Sequence, residues 1–290
     1  MLVAVALTAA CGATAPSTTQ PSTTQPSTSS PSTTQPSTTQ AEWQGPPPGR
    51  PFDYQLAGDY SPAPEVEVLT RDWFAGTPDP QRYNICYVNA FQTQPPDDAD
   101  RPDERDGWPA DVVLAVQDPQ WPGEFVIDLS TPERRSAAAA HVELMLDICA
   151  SKGFAAVEFD NLDTYSRFQG LPFGIDEAVD FAARLADGAH QRGLAVGQKN
   201  TVELTRQQSI DIIGFDFVVV EQCAEFDECA AYRSVFGVNV FSIEYTDAGM
   251  VAACEQFGEG IAVVRRDLNL TTPDDPSYRY DSSCGPAATG

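Results

Sequence analysis

The sequence predicts a single (β/α)8 barrel of the α/β class behind a disordered N-terminal stalk, and three observations predict it. Once the first forty or so positions are set aside, about 250 residues remain, the usual size of such a barrel. Short apolar runs then alternate with stretches long enough for return helices. Several of those runs end in carboxylates, amides or an ammonium, the side chains a barrel gathers at the C-terminal mouth of its strands.

Three segments follow, 1–11, 12–42 and 43–285. Met1 to Cys11 reads MLVAVALTAAC. It resembles the end of a bacterial lipoprotein signal, in which Cys11 becomes the lipidated first residue; an ordinary secretory signal and an N-terminal strand are the alternatives. It contains no basic residue, and Thr8 stands where such signals usually carry leucine. From Pro16 to Gln40 the chain repeats PSTTQ five times, with one imperfect copy at Pro26 to Ser30 and no apolar or charged residue. Such a segment cannot bury enough surface to offset its ordering entropy, so it is expected to be an extended, mobile stalk. Trp43 to Pro51 (WQGPPPGRP) is a stiff lead-in.

Nine candidate strands come next: 54–56, 66–69, 84–88, 125–129, 155–160, 194–200, 217–223, 238–245 and 261–265. That is one too many for the barrel. The first two leave no room for a helix between them, so only one is expected to be a regular barrel strand, while the last seven fit repeated βα units. Helical spacing is clearest over Asp176 to Gln191, where Ala178, Val179, Ala182, Leu185, Ala186 and Ala189 share a face and Gly193 follows as a stop.

Composition narrows the partners. The chain has 42 Asp and Glu against 17 Lys and Arg, a formal charge of -25. A nucleic acid or anionic membrane would add like charge to like, so both are disfavoured, and a cationic partner is favoured. Any membrane association would run through the lipid anchor, since no apolar run is long enough to span. Seven cysteines leave six once Cys11 is set aside, an even number that suits disulfides in an exported protein. Cys223 with Cys229 and Cys254 with Cys284 are the expected pairs; Cys86 and Cys149 either pair or stay as buried thiols. The cysteine spacings match no metal pattern and the two histidines, His141 and His190, sit in helical stretches, so neither a metal nor another cofactor is expected.

The chemistry centres on Val157 to Asp163 (VEFDNLD). Strand alternation puts Glu158, Asp160 and Leu162 on one side and Phe159 and Asn161 on the other, with the two acids about 7 Å apart at roughly 3.3 Å per residue. Acids that close perturb one another's protonation. Other strand ends repeat the theme: Tyr87 and Asn89, Asp128, Lys199 and Asn200, Glu221 and Gln222, Glu244 and Tyr245, and Arg265 to Asp267. With acids and aromatics but no Ser/His pair, phosphate loop or metal cluster, the chemistry that fits is glycoside hydrolysis by two carboxylates, one protonated and one ionised.

The order ICY, WPGE before a strand ending ID, VEFDNLD, AHQRGLAVGQKN, FDFVVVEQC and IEY resembles glycoside hydrolase family 114, the endo-α-1,4-polygalactosaminidases, over roughly Phe52 to Asp267. The resemblance implies a (β/α)8 barrel that cleaves α-1,4-linked galactosamine polymers. It also implies a working pair of Asp160 and Glu221, with Asp160 as nucleophile or base and Glu221 as acid, or the reverse. Tyr87, Asp128, Glu158, Asn161, Asp163, Lys199, Asn200, Glu244 and Tyr245 are the candidate substrate-binding residues, and Tyr165 a candidate sugar-stacking ring. Two departures from the family pattern, Val88 to Gln94 after ICY and Val220 before EQC, are expected to fall at sugar subsites. The expected partner is a cationic amino-sugar polymer met by an extracellular or cell-surface monomer. A non-catalytic carbohydrate-binding barrel and a glycosidase for another wall or capsule sugar are the rival readings.

Overall fold

The computed structural model describes residues 43–94, 107–282 and 284. The lipobox-like segment with Cys11 and the repeat stalk lie outside the described residues. Eight parallel strands follow one another around the barrel: β1 Phe52–Gln55, β2 Val68–Asp72, β3 Tyr83–Asn89, β6 Ala156–Asp160, β7 Ala195–Lys199, β8 Phe217–Glu221, β9 Val240–Glu244 and β10 Ala262–Arg266. A ninth, β11 Tyr280–Asp281, pairs antiparallel with β10. Two shorter strands, β4 Val113–Gln117 and β5 Phe125–Ile127, form a separate antiparallel hairpin.

Two expectations are corrected here. Both early runs are barrel strands, since β1 pairs in parallel with β2 over Phe52 to Gln55 without a helix between them. The supernumerary strand is instead the run at 125–129, which belongs to the hairpin. A short apolar run bounded by turns reads alike in a barrel and in a docked hairpin, because both bury it.

The helices pack outside the strands. Helix α1 (Pro132–Lys152) starts where Thr131 accepts a hydrogen bond from the Arg134 amide and stops at Gly153, whose φ of 94° is the left-handed conformation that favours glycine. Short α2 (Thr164–Arg167) follows β6, and α3 (Ile175–Gln191) buries Ala178, Val179, Ala182, Leu185, Ala186 and Ala189 as its spacing requires. Helices α4 (Cys229–Phe236) and α5 (Asp247–Phe257) follow β8 and β9. None of the helices among the described residues is long and apolar enough to cross a membrane.

Strand alternation sorts the core into two layers. Inward residues such as Phe52, Tyr54, Ile85, Tyr87, Ala156, Phe217, Val219, Phe241 and Ile243 fill the barrel. Outward residues such as Val88, Val157, Phe159, Val196, Val218 and Val220 pack with the helices. Gly197 faces inward by parity, and glycine leaves the room the Phe217 ring needs, since a Cβ there would stand 2.6 Å from that ring. Disulfides join Cys223 to Cys229, Cys254 to Cys284 and Cys86 to Cys149. The last, open between a bond and two thiols from sequence, ties β3 to α1 across 63 residues of chain.

Candidate active site

Strands β6, β7 and β8 are neighbours, and the last residue of each faces the barrel mouth: Asp160, Lys199 and Glu221. Lys199 Nζ lies 3.1 Å from Asp160 Oδ1, 3.3 Å from Glu221 Oε2 and 3.9 Å from Glu158 Oε1. Its side chain is 2% exposed, against 17% for Asp160 and 30% for Glu221. One buried cation thus sits behind two acids that reach solvent.

Each acid is held by a second strand. Asp160 Oδ2 accepts from the Tyr87 hydroxyl at 2.7 Å, and Oδ1 from the Asn161 amide at 2.8 Å. Glu221 Oε1 accepts from the Tyr245 hydroxyl, and Oε2 from Asn200 Nδ2 at 3.0 Å, while the Asn200 side-chain oxygen accepts from the Glu221 amide. Glu158, one layer down and fully buried, accepts from the Tyr54 hydroxyl. Burial first, and then the neighbouring carboxylates, push the hydroxyls of Tyr54, Tyr87 and Tyr245 well above their ordinary range, so each remains a donor.

The protonation pattern is asymmetric. Burial works to raise the Asp160 carboxyl, but the Lys199 charge and the bonds from Tyr87 and Asn161 outweigh it and hold Asp160 below the usual carboxylate range. Glu158 goes the other way: burial lifts it to about 8 against the pull of Lys199 and Tyr54. Burial also opposes the charge on Lys199, yet Asp160, Glu221 and Glu158 together raise it above its ordinary value, so it stays an ammonium.

The sequence-derived residues separate into three groups. Tyr87, Glu158, Asp160, Lys199, Asn200, Glu221 and Tyr245 form the network just described. Asn161 and Asp163 lie at its edge: Asn161 donates to Asn89 Oδ1 at 2.9 Å, and both accept from Arg167. Burial raises Asp163 against the pull of Arg167. Tyr165 donates to Glu203.

Asp128 and Glu244 are not part of the network. Asp128 follows the hairpin and accepts from the Ser130 amide and from Arg134, so it anchors the start of α1. Glu244 has the wrong parity: Ile243 points into the barrel, and Glu244 points out, where it accepts from the Ala224 amide and the Ser242 hydroxyl under the Cys223–Cys229 loop. Leu162 is corrected as well, because Asn161 takes a φ of 67°, alternation ends, and Leu162 joins the outer core. Val220 is buried in that outer layer, so its departure from the family pattern does not meet the mouth. The segment after ICY does, through Asn89.

Sequence reasoning missed Tyr54, Arg167, Asp118 and Glu124. In the sequence WPGE stands only as a family marker, yet Glu124 accepts from Asn89 Nδ2 at 3.1 Å, and burial, then the charge on Asp160, lift its pKa to about 8. Tyr54 was legible only by its inward parity, on one of two early runs of which just one is expected to be a regular barrel strand.

A (β/α)8 barrel with two carboxylates converging on one lysine at the C-terminal mouth has the form of a glycoside hydrolase. Comparison with known proteins agrees. The model of glycoside-hydrolase family GH114 matches residues 32–284, and the chain belongs to that family. The crystal structure of Aspergillus fumigatus Ega3 in complex with galactosamine is 25% identical, with a TM-score of 0.68, covering 84% of this chain and 99% of that one. The glycoside hydrolase domain of PelA from Pseudomonas aeruginosa shares the fold at 16% identity and a TM-score of 0.59, over 80% of this chain and 98% of that one. An uncharacterized protein of Deinococcus radiodurans is 29% identical over 171 residues, 52% of this chain and 54% of its own length. The chain therefore spans about half the length of that curated relative.

Proposed function

We propose that this chain hydrolyses α-1,4-linked galactosamine-containing polysaccharide, with Asp160 as nucleophile and Glu221 as acid and base. The observation that carries the reading is the shared contact of Asp160 and Glu221 with Lys199, at 3.1 and 3.3 Å. Two oxygens that close to one nitrogen lie nearer each other than the roughly 6.5–9.5 Å that leaves room for a water in inverting enzymes. That geometry favours retention. Asp160, held ionised, attacks the anomeric carbon as Glu221 gives its proton to the departing glycosidic oxygen, leaving a glycosyl ester on Asp160. Glu221, now a carboxylate, takes a proton from water; the water oxygen attacks the anomeric carbon, and the Asp160 ester bond breaks. Lys199 holds both acids in register throughout.

The galactosamine polymer is supported by the family and by the galactosamine complex of Ega3. The charge of -25 supports it too, since an acidic protein raises the local concentration of a polyammonium chain. The three disulfides support an oxidising, extracellular setting. In this reading the protein works as a monomer, tethered by a lipid on Cys11 where one is attached.

The test measures reducing ends released from deacetylated galactosamine oligomers, with anomeric configuration followed by proton NMR. Asp160→Asn and Glu221→Gln are each expected to lose at least about 1,000-fold in kcat with melting temperature kept. The first product is expected to carry the α configuration. Full activity in either variant would refute the assignment, as would binding without cleavage by the wild type.

A further inference from the structure

Retaining attack by Asp160 places a substrate ring with its anomeric carbon over that carboxylate, and in a 2-amino sugar the nitrogen stands on the next carbon. A group that recognises the amine of the reacting ring must therefore sit beside Asp160. Asp160 is paired in register with Asn89 of β3, and Asn89 is hydrogen-bonded to Glu124. Glu124 thus stands one side chain from the nucleophile, in the same layer of the mouth.

Its surroundings set it apart from the other acids there. Asp118, Glu158, Asp160, Asp163 and Glu221 each lie within 4 Å of a lysine or arginine nitrogen. Glu124 has no such partner among the described residues, and Asn89 supplies its one side-chain hydrogen bond. The Arg167 charge acts on Glu124 from a distance, pulling against its upward shift, while its contacts go to Asp118, Asp163 and Asn161. A partly buried carboxyl that lacks a cation beside a nucleophile is stabilised when the substrate brings one.

The turn that carries Glu124 is built to hold it there. The Asp118 amide donates to the Glu124 carbonyl and the Glu124 amide to the Trp121 carbonyl, while Asp118 accepts from Gln92 and Arg167. The Thr93 amide donates to the Phe125 carbonyl, so the hairpin is stitched to the chain leaving β3. Trp121, three residues before Glu124, is 49% exposed, which offers an aromatic face to a sugar ring on the same turn.

We infer that Glu124, releasing its own proton to solvent as substrate binds, accepts the ammonium of the ring undergoing cleavage and so sets the preference for unacetylated over acetylated galactosamine. An acetamide brings no charge to Glu124 and adds bulk where the carboxyl stands. The inference rests on the polymer proposed above.

The experiment compares wild type, Glu124→Gln and Glu124→Asp on deacetylated and fully acetylated α-1,4-galactosamine oligomers. Glu124→Gln is expected to lose roughly 10- to 100-fold in kcat/KM on the deacetylated oligomer, mainly through KM, and less than about threefold on the acetylated one. Glu124→Asp is expected to recover part of the loss. The preference of the wild type for the deacetylated oligomer is expected to fall as salt is raised, and more steeply than that of Glu124→Gln, since the overall charge of -25 acts on both. Equal losses on both oligomers, or a salt-independent preference, would overturn the role of Glu124 and leave the hydrolase reading standing. A wild type that cleaves neither oligomer would overturn both.

Discussion

Glu158 shows at the scale of one residue how this site handles excess acid. Three carboxyl groups share one ammonium, and the arrangement is relieved by keeping the deepest of them protonated. Its contact with Lys199 is the longest of the three, 3.9 Å, and its carboxyl pKa is pushed up to about 8 by burial. The ordinary value is 4.5. Between those values the folded chain holds a proton that the unfolded chain has lost, so stability falls as pH rises from about 4.5 to about 8 and then levels off. Glu124, also lifted to about 8, contributes in the same direction. Glu158→Gln should therefore flatten part of that fall, by on the order of 1–3 kcal/mol between pH 5 and pH 8 in urea unfolding. A variant with the slope of the wild type would show that Glu158 is ionised in the folded protein.

The next scale is the strand end. The three strands that deliver Asp160, Lys199 and Glu221 share a device, since each is followed at once by a non-glycine residue with positive φ: Asn161 at 67°, Asn200 at 46° and Gln222 at 56°. The left-handed residue stops alternation directly after the working side chain and turns the chain away from the mouth. Asparagine tolerates that conformation; glutamine carries more of its cost. The Gln222 amide donates to the Ile243 carbonyl at 2.7 Å, so the backbone rather than the side chain sets the position of Glu221. Gln222→Gly should then keep activity and leave stability within about 1 kcal/mol, as relieved strain offsets the added freedom of the unfolded chain. Gln222→Val should cost roughly 1–2 kcal/mol and lower kcat, because a β-branched residue resists positive φ. Chemical denaturation with steady-state assays on both variants checks this, and loss of activity in the glycine variant would show that the side chain matters.

These strands were also the most legible part of the sequence. Strands β6, β7 and β8 are mainly apolar and each ends on a charged residue followed by an amide, so both the strand and its terminal side chain could be read from local pattern. Parity also fixes Glu244: inward Phe241 and Ile243 imply that Glu244 points outward. The hairpin was not legible, because its position depends on partners far along the chain, such as the bonds from Asn89 to Glu124 and from Arg167 to Asp118.

At the scale of the whole molecule, no ladder joins β1 to β10 among the described residues, and the Arg266 side chain bridges that seam. Arg266, with no exposed surface, sends Nη1 to Asp53 Oδ1 at 2.8 Å and to the Tyr54 carbonyl, Nε to the Arg279 carbonyl at 2.9 Å and Nη2 to the Thr271 carbonyl at 2.9 Å. The fork-shaped guanidinium can reach acceptors on separate segments, which an ammonium cannot. The seam is also tied to the chemistry, because Tyr54, whose carbonyl Arg266 grips, places its hydroxyl on Glu158 under Lys199. Arg266→Met should therefore cost about 3–5 kcal/mol, most of it from the Asp53 carboxylate left buried without its cation. Arg266→Lys should recover little. If the uncompensated charge is the cause, Arg266→Met combined with Asp53→Asn should be more stable than Arg266→Met alone, and urea unfolding of the two at pH 7 decides it. If the double variant is no more stable, the damage lies in the lost carbonyl contacts of the seam; kcat would then fall in both variants as Tyr54 loosens its hold on Glu158.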